Sequence, residues 1–142
     1  RKFRDRDELG VKVVLESAGL KRIQQLVQED SETVKKMKEE ISRTTSGTAY
    51  FLKMKIDEAI KVETFRRIER LAGEIHPQLA KFAEDNCLLK AEYQQVILNA
   101  AYLINRKDRD TFTVMVEKLR QKYDPTGLTF LVSGPWAPYS FC

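Results

Sequence analysis

Residues 48–87 are the longest stretch of helical periodicity in this sequence, and their length limits what the chain can build. Ala49, Leu52, Ile56 and Ala59 recur every three or four positions. After a small offset the pattern resumes as Phe65, Ile68, Ala72, Ile75, Leu79 and Phe82, a coiled-coil-like seam. One unbroken helix over that range would be about 60 Å long at 1.5 Å per residue. A domain of 142 residues is narrower than that. Pro77 removes a backbone donor and crowds the preceding turn, which predicts a kink or a restart near His76. Either the helix folds back there, or part of its seam projects and meets something else. The seam residues from Phe65 to Phe82 are therefore candidates for partner binding.

The flanking segments change period. In "ELGVKVVLE", Leu9, Val11, Val13 and Leu15 alternate with Gly10, Lys12, Val14 and Glu16, the pattern of a strand with one buried face. "AGLKRIQQLVQED" reads as a short helix, and Ser31 offers an N-cap to a second one with Val34, Met37 and Ile41 as its stripe. "VILNAAYLIN" is apolar on both alternating faces, which suits a central strand covered at least in part on each side. Asp108 or Asp110 caps a helix carrying Phe112, Met115, Val116 and Leu119, and "DPTG" turns the chain into a last strand with Leu128, Phe130 and Val132 on one face. The expected fold is one α+β domain over residues 1–142, with a small antiparallel or mixed sheet of about three strands covered by helices. It resembles a ferredoxin-like βαββαβ pattern with one strand missing or irregular.

Composition excludes several classes of function. Hydrophobic residues make up 42% and charged residues 32%, a globular balance. The 25 basic and 21 acidic side chains leave +4, interleaved along the helices as in "KKMKEE" and "RRIER", so they read as solvated ion-pair faces. The densest basic stretch, "RKFRDRD", is diluted by its own acids and reads as a solvated linker; no RNA-binding aromatic signature accompanies it, so no nucleic-acid partner is expected. No apolar run approaches the roughly 20 residues of a membrane span. Cys87 and Cys142 are too few and too far apart for a disulfide framework or a metal motif, which points to a reducing cytoplasm. His76 is the single histidine, and a solvent-facing or capping role is expected for it. The glycines are scattered, without a phosphate-binding loop. No catalytic residue, metal ligand or cofactor site can be nominated.

The end of the chain, "SGPWAPYSFC", is the most distinctive segment. Pro135 and Pro138 push Gly134 and Ala137 toward extended backbone, so the tail is stiff before it meets anything. Trp136, Tyr139 and Phe141 are costly to leave in water. Two readings stand. The rings plug one end of the domain's own core or its joint with an upstream domain, or they recognise a separate partner. If Trp136 is buried, truncation to Ala costs about 3–5 kcal/mol.

"SGPWAPYSF" closely resembles the C-terminal signature of the gas vesicle GvpL/GvpF family, commonly T-G-P-W-P-P-Y-S/N-F. Gly134, Pro135, Trp136, Pro138, Tyr139 and Phe141 match, with Ser133 where Thr is frequent and Ala137 where a second Pro is frequent. "ELGVKV" is similar to that family's E-W-G-V-K-V, with Leu9 in place of Trp. "SGTAYFLKMKIDEA" and "LNAAYLINRKDRDTF" follow in the family's order. The resemblance implies an accessory or minor structural protein of gas vesicle formation that associates with the hydrophobic shell protein and with other accessory proteins. It also implies a larger parent protein, with an N-terminal α/β domain ahead of the E-W-G-V-K-V strand and this chain as its C-terminal domain. Absence of an initiator Met is consistent with that expectation. The expected role is non-enzymatic, cytoplasmic and vesicle-associated: a chaperone-like binder of shell protein. The rivals are a permanent component of the vesicle wall and a ferredoxin-like nucleic-acid module.

Overall fold

The computed structural model describes residues 3–142; Arg1 and Lys2 of the basic stretch lie outside the described residues. Strand β1 (Arg6–Leu15) leads into helices α1 (Ser17–Asp30), α2 (Glu32–Ile41) and α3 (Ser46–Ala80). A short strand β2 (Asp85–Leu88) and a long one, β3 (Val96–Asn105), precede α4 (Arg109–Tyr123) and β4 (Leu128–Trp136). Single 3₁₀ turns at Arg106–Asp108, Asp124–Thr126 and Tyr139–Phe141 complete the chain. The sheet runs β2-β3-β1-β4 with every neighbouring pair antiparallel. That is the strand order of the ferredoxin-like split βαβ arrangement, so the sheet has four strands rather than about three.

The extra strand is β2, in residues read from sequence as the end of the long helix. Its four residues, Asp-Asn-Cys-Leu, include two types depleted in strands, and three of the four are exposed. It is a strand because it pairs with β3 from Asp85↔Leu103 to Leu88↔Ala100. Periodicity carries no such signal.

The alternation of β1 is realised as a buried stripe. Leu9, Val11, Val13 and Leu15 join Leu98, Ala100, Tyr102 and Ile104 of β3, with Leu128 and Phe130 of β4, in one core beneath the helices. From α1 come Ile23 and Val27, from α2 Val34, from α3 Ile56, Ile75 and Leu79, and from α4 Phe112, Val116, Leu119 and Tyr123. Ser31 caps α2 as expected, its hydroxyl oxygen accepting from the Val34 N–H at 3.4 Å. Asp108 occupies the N-cap position of α4 but makes no side-chain cap hydrogen bond.

Helix α3 is one continuous element of 35 residues, about 52 Å long. It neither folds back nor restarts at Pro77, which sits in the last turn with three residues of helix after it. The helix is long because it serves two layers. Residues from Lys55 to Arg67 face the α1–α2 corner, where Arg67 pairs with Asp30. Residues from Gly73 to Leu79 lie on β3 and α4. There His76 Nδ1 is 2.7 Å from the Tyr102 hydroxyl, and the Tyr123 hydroxyl donates to Glu74 at 3.1 Å. His76 is therefore half-buried and holds the hydroxyl of a core tyrosine, a correction to the solvent-facing or capping role expected for it.

Two tests follow from this core. Burial raises the Tyr102 phenol, and burial together with the Glu74 carboxylate raises that of Tyr123. A raised folded-state pKa favours the folded chain fully below the unfolded value, near 10, and less as pH climbs past it. An alkaline absorbance titration should show two late-ionising phenols, one removed by Tyr102→Phe and the other by Tyr123→Phe. Separately, Thr64 is buried on α3 and its hydroxyl has no hydrogen-bond partner among the described residues. Thr64→Val should raise stability by about 1 kcal/mol in denaturant melts; a loss of similar size would show that the hydroxyl is satisfied in solution.

Candidate partner-binding surfaces

Glu8 and the tail meet across the β1–β4 pair although they are more than 120 positions apart. The register runs from Leu15↔Leu128 to Gly10↔Ser133, then shifts, so that Glu8 faces Trp136. The shift is a bulge centred on Gly134, whose φ of 101° lies in the left-handed region that glycine tolerates. A Cβ there would stand 2.7 Å from the Glu8 carbonyl oxygen. At Gly10 a Cβ would lie 2.6 Å from the Ser133 Oγ, a side-chain atom that would have to turn aside. The Gly134–Pro135 peptide is cis.

Beyond the bulge the chain turns back over β1. The Ser140 N–H donates to Glu8 Oε1 and the Ser140 hydroxyl to Glu8 Oε2, each at 2.8 Å. Glu8 is buried by this arrangement, and its carboxylate holds the end of the tail through two charge-assisted hydrogen bonds. The rings do not plug the core. Trp136 is 54% exposed and Tyr139 78% exposed, while Pro138 and Phe141 are half-buried. Polar latching, not insertion of aromatics, fixes the tail. Neither Glu8 nor Ser140 stood out in the sequence, because the partner of each lies at the opposite end of the chain.

Tail and sheet frame a hollow of about 270 Å³ on the helix-free face. Its floor is a row of small residues, Ala101, Gly10 and Ser133, aligned across β3, β1 and β4. Trp136 and Leu89 border it. The segment after β2 folds over the same face. Lys12 pairs with Glu92 at 2.7 Å, and Asn99 donates to the Lys90 carbonyl at 2.9 Å. This cover accounts for the burial of Ala101, and it agrees with the two apolar faces read from "VILNAAYLIN".

The seam proposed for partner binding divides in the structure. Ile75 and Leu79 are fully buried in the core, and Ile68 and Phe82 pack against it. Ala72 is half-buried beside His76 and Pro77. Ile68, Ile75, Leu79 and Phe82 serve the domain itself, because the last turns of α3 and the residues just after it lie on the sheet. Phe65 alone among the six is open, at 61% exposure. It belongs to a different row: Tyr50, Phe51 (68% exposed), Met54 and Val62 are exposed as well, all on the first half of α3. The buried face of α3 drifts around the axis between its two layers, so the exposed and buried apolar residues fall in different rows.

Four ionisable groups, Arg6, Asp7, Arg106 and Arg109, line an open hollow of about 560 Å³ beside the tail. Asp7 accepts from Arg106 at 3.3 Å and Arg109 at 3.2 Å, tying β1 to the start of α4. The Arg67 guanidinium hydrogen-bonds Asp30 and holds its carboxyl below the usual range. Among the described residues, no group of three or more His, Cys, Asp and Glu side chains could hold a metal ion. Among those residues, no helix is long and apolar enough to cross a membrane.

Comparison with known proteins places this geometry. The family described as "Gas vesicle synthesis protein GvpL/GvpF" matches residues 1–142. The chain belongs to the GvpL/GvpF family. Gas vesicle protein L of a Streptomyces species is 26% identical over 107 residues, covering 70% of this chain and 39% of that protein. Gas vesicle protein F of Haloferax mediterranei is 36% identical over 47 residues, covering 33% of this chain and 22% of that protein. The fold is that of the crystal structures of GvpF from an Anabaena species (TM-score 0.79, 22% identity) and from Microcystis aeruginosa (TM-score 0.70, 20% identity). Each covers 99% of this chain, and the chain spans 55% of each crystallised chain.

The latch gives a direct test. Glu8→Ala should remove protection of the Ser140 amide in hydrogen exchange and cost about 2 kcal/mol. Trp136→Ala should cost about 1 kcal/mol or less, since half of the ring is already in water. A loss of 3 kcal/mol or more on Trp136→Ala would restore the buried plug.

Proposed function

We propose that this domain is an assembly factor of gas vesicle formation that holds the hydrophobic shell protein by apolar contact and carries out no bond chemistry. The observation that carries the reading is the set of large apolar side chains left open on the first half of α3 and on the tail of a family member otherwise built around paired charges. Phe51, Phe65, Trp136 and Tyr139 each have more than half of their surface in water, which is costly unless something covers it part of the time. A shell subunit exposes apolar surface and strand edges before it polymerises, and such surfaces aggregate. A binder that covers them lowers the concentration of free subunit by mass action. We place the domain beside the growing vesicle, with the shell protein and other accessory proteins as its partners. We also take this chain to be the C-terminal domain of a longer protein.

Co-expression of this chain with the shell protein tests the reading. Capture of the chain should retain shell subunit, and shell subunit expressed alone should aggregate more. Washing purified vesicles in urea separates a transient binder from the rival role as a wall component. A transient binder leaves with the wash; a protein retained in the washed shell is a structural part of it.

A further inference from the structure

A hollow of about 330 Å³ lies where the end of α3 meets the segment after β2 and the start of β3. No Asp, Glu, Lys or Arg is among the described residues that line it, although such residues make up 32% of the chain. An ion entering it would lose water and gain no counter-charge.

Two departures from regular backbone meet there. Pro77 has no N–H to give to the carbonyl of Gly73, four residues earlier, so α3 lacks one of its own hydrogen bonds. Gly73 carries no side chain to cover that carbonyl, and the space where its Cβ would stand is open. On β3 the register with β1 passes from Val13↔Leu98 to Val14↔Val96, which leaves Ile97 as the unpaired residue of a bulge. Gly73, Pro77 and Ile97 all line the hollow.

His76 adds a donor. Tyr102 is fully buried, and its hydroxyl is 2.7 Å from His76 Nδ1. The hydroxyl proton has an acceptor there only when Nδ1 is unprotonated, which puts the imidazole proton on Nε2. Nε2 has no partner among the described residues, and the ring lines the hollow. The hollow thus offers one acceptor, one donor and an apolar lining. A neutral amide matches both polar groups. A carboxylate or a hydrocarbon leaves at least one of them unmet. The main chain of a peptide is such an amide, repeated. The rim also suits a peptide: β2 is the outermost strand and ends at Leu88 on this hollow, so its outer N–H and C=O groups face no strand among the described residues.

We infer that this hollow binds one apolar residue of an extended peptide, taking its side chain inside and pairing its main chain with the Gly73 carbonyl and the His76 Nε2–H. The site is separate from the open row on α3 and does not rest on the proposed function.

The test is a titration of the chain followed by amide and methyl NMR shifts. The probes are N-acetyl-phenylalanine methylamide, benzamide and toluene. The first should move the Ile97 amide, the Leu88 and Val96 methyls and the His76 ring, with a millimolar Kd. Toluene should bind about tenfold more weakly, and benzamide should fall between the two. Pro77→Ala gives the Gly73 carbonyl its helical N–H and suits a helix; it should shrink the preference for the amide and leave toluene binding unchanged. Gly73→Leu fills the hollow and should abolish binding of all three, with an unaltered thermal melt. Equal binding of the first probe and toluene, or a preference that survives Pro77→Ala, would overturn the inference. So would full binding to Gly73→Leu, or no shift at the solubility limit of the first probe. Benzamide binding as tightly as the first probe would assign the hollow to a small amide and overturn the peptide.

Discussion

Everything in this domain is referred to β1. Like β3 it is paired on both sides, with β3 and with β4, and its alternate side chains Leu9, Val11, Val13 and Leu15 are the floor on which the helices rest. One residue of slip in its register would exchange this floor for Glu8, Gly10, Lys12 and Val14. The same alternation assigns those latter residues to the other face, where Gly10 makes room for Ser133 and Glu8 latches Ser140. Thus a single period-two pattern from Glu8 to Leu15 sets the core on one face and the seat of the tail on the other.

The second constraint is the length of α3. The helix must cover β3 with Ile75 and Leu79 and still reach the α1–α2 corner with Ile56 and Arg67. A straight helix with 3.6 residues per turn cannot present one stripe to two supports in different directions, so its buried face turns along its length. The stretch from Phe51 to Phe65 consequently leaves Phe51, Met54 and Phe65 largely exposed, while Ile68, Ile75 and Leu79 further along are used by the core. That division assigns architecture to one half of the helix and availability to the other.

Much of this was legible in the sequence, and the failures have definite causes. The central strand, the two-faced strand at 96–105 and the β4 stripe came from periodicity, although Val132 of the expected Leu128, Phe130 and Val132 stripe is 45% exposed, and the Ser31 cap came from its hydroxyl ahead of a helical stripe. β2 escaped because Asp85–Leu88 has no apolar pattern and exists only by pairing. The continuity of α3 through Pro77 escaped because a proline in a last turn disrupts far less than one in mid-helix. The tail motif pointed to the right family, and of the readings offered for its rings the structure sets aside only the plug of this domain's own core, since Trp136 and Tyr139 stand largely in water. A Trp in a proline-rich segment reads as an anchor, and only the structure shows the Glu8 carboxylate holding that segment instead. Phe51 and Met54 escaped because sequence cannot say which half of a long amphipathic helix its own domain will cover.

The central claim is that this chain acts by lending apolar surface on the first half of α3. Hydrogen exchange with and without shell subunit tests it most directly, since covering that surface slows local opening of the backbone beneath it. The account predicts added protection over residues 50–66, with amides of β3 unchanged. Added protection confined to the tail or to the helix-free sheet face, with residues 50–66 unaffected, would contradict it.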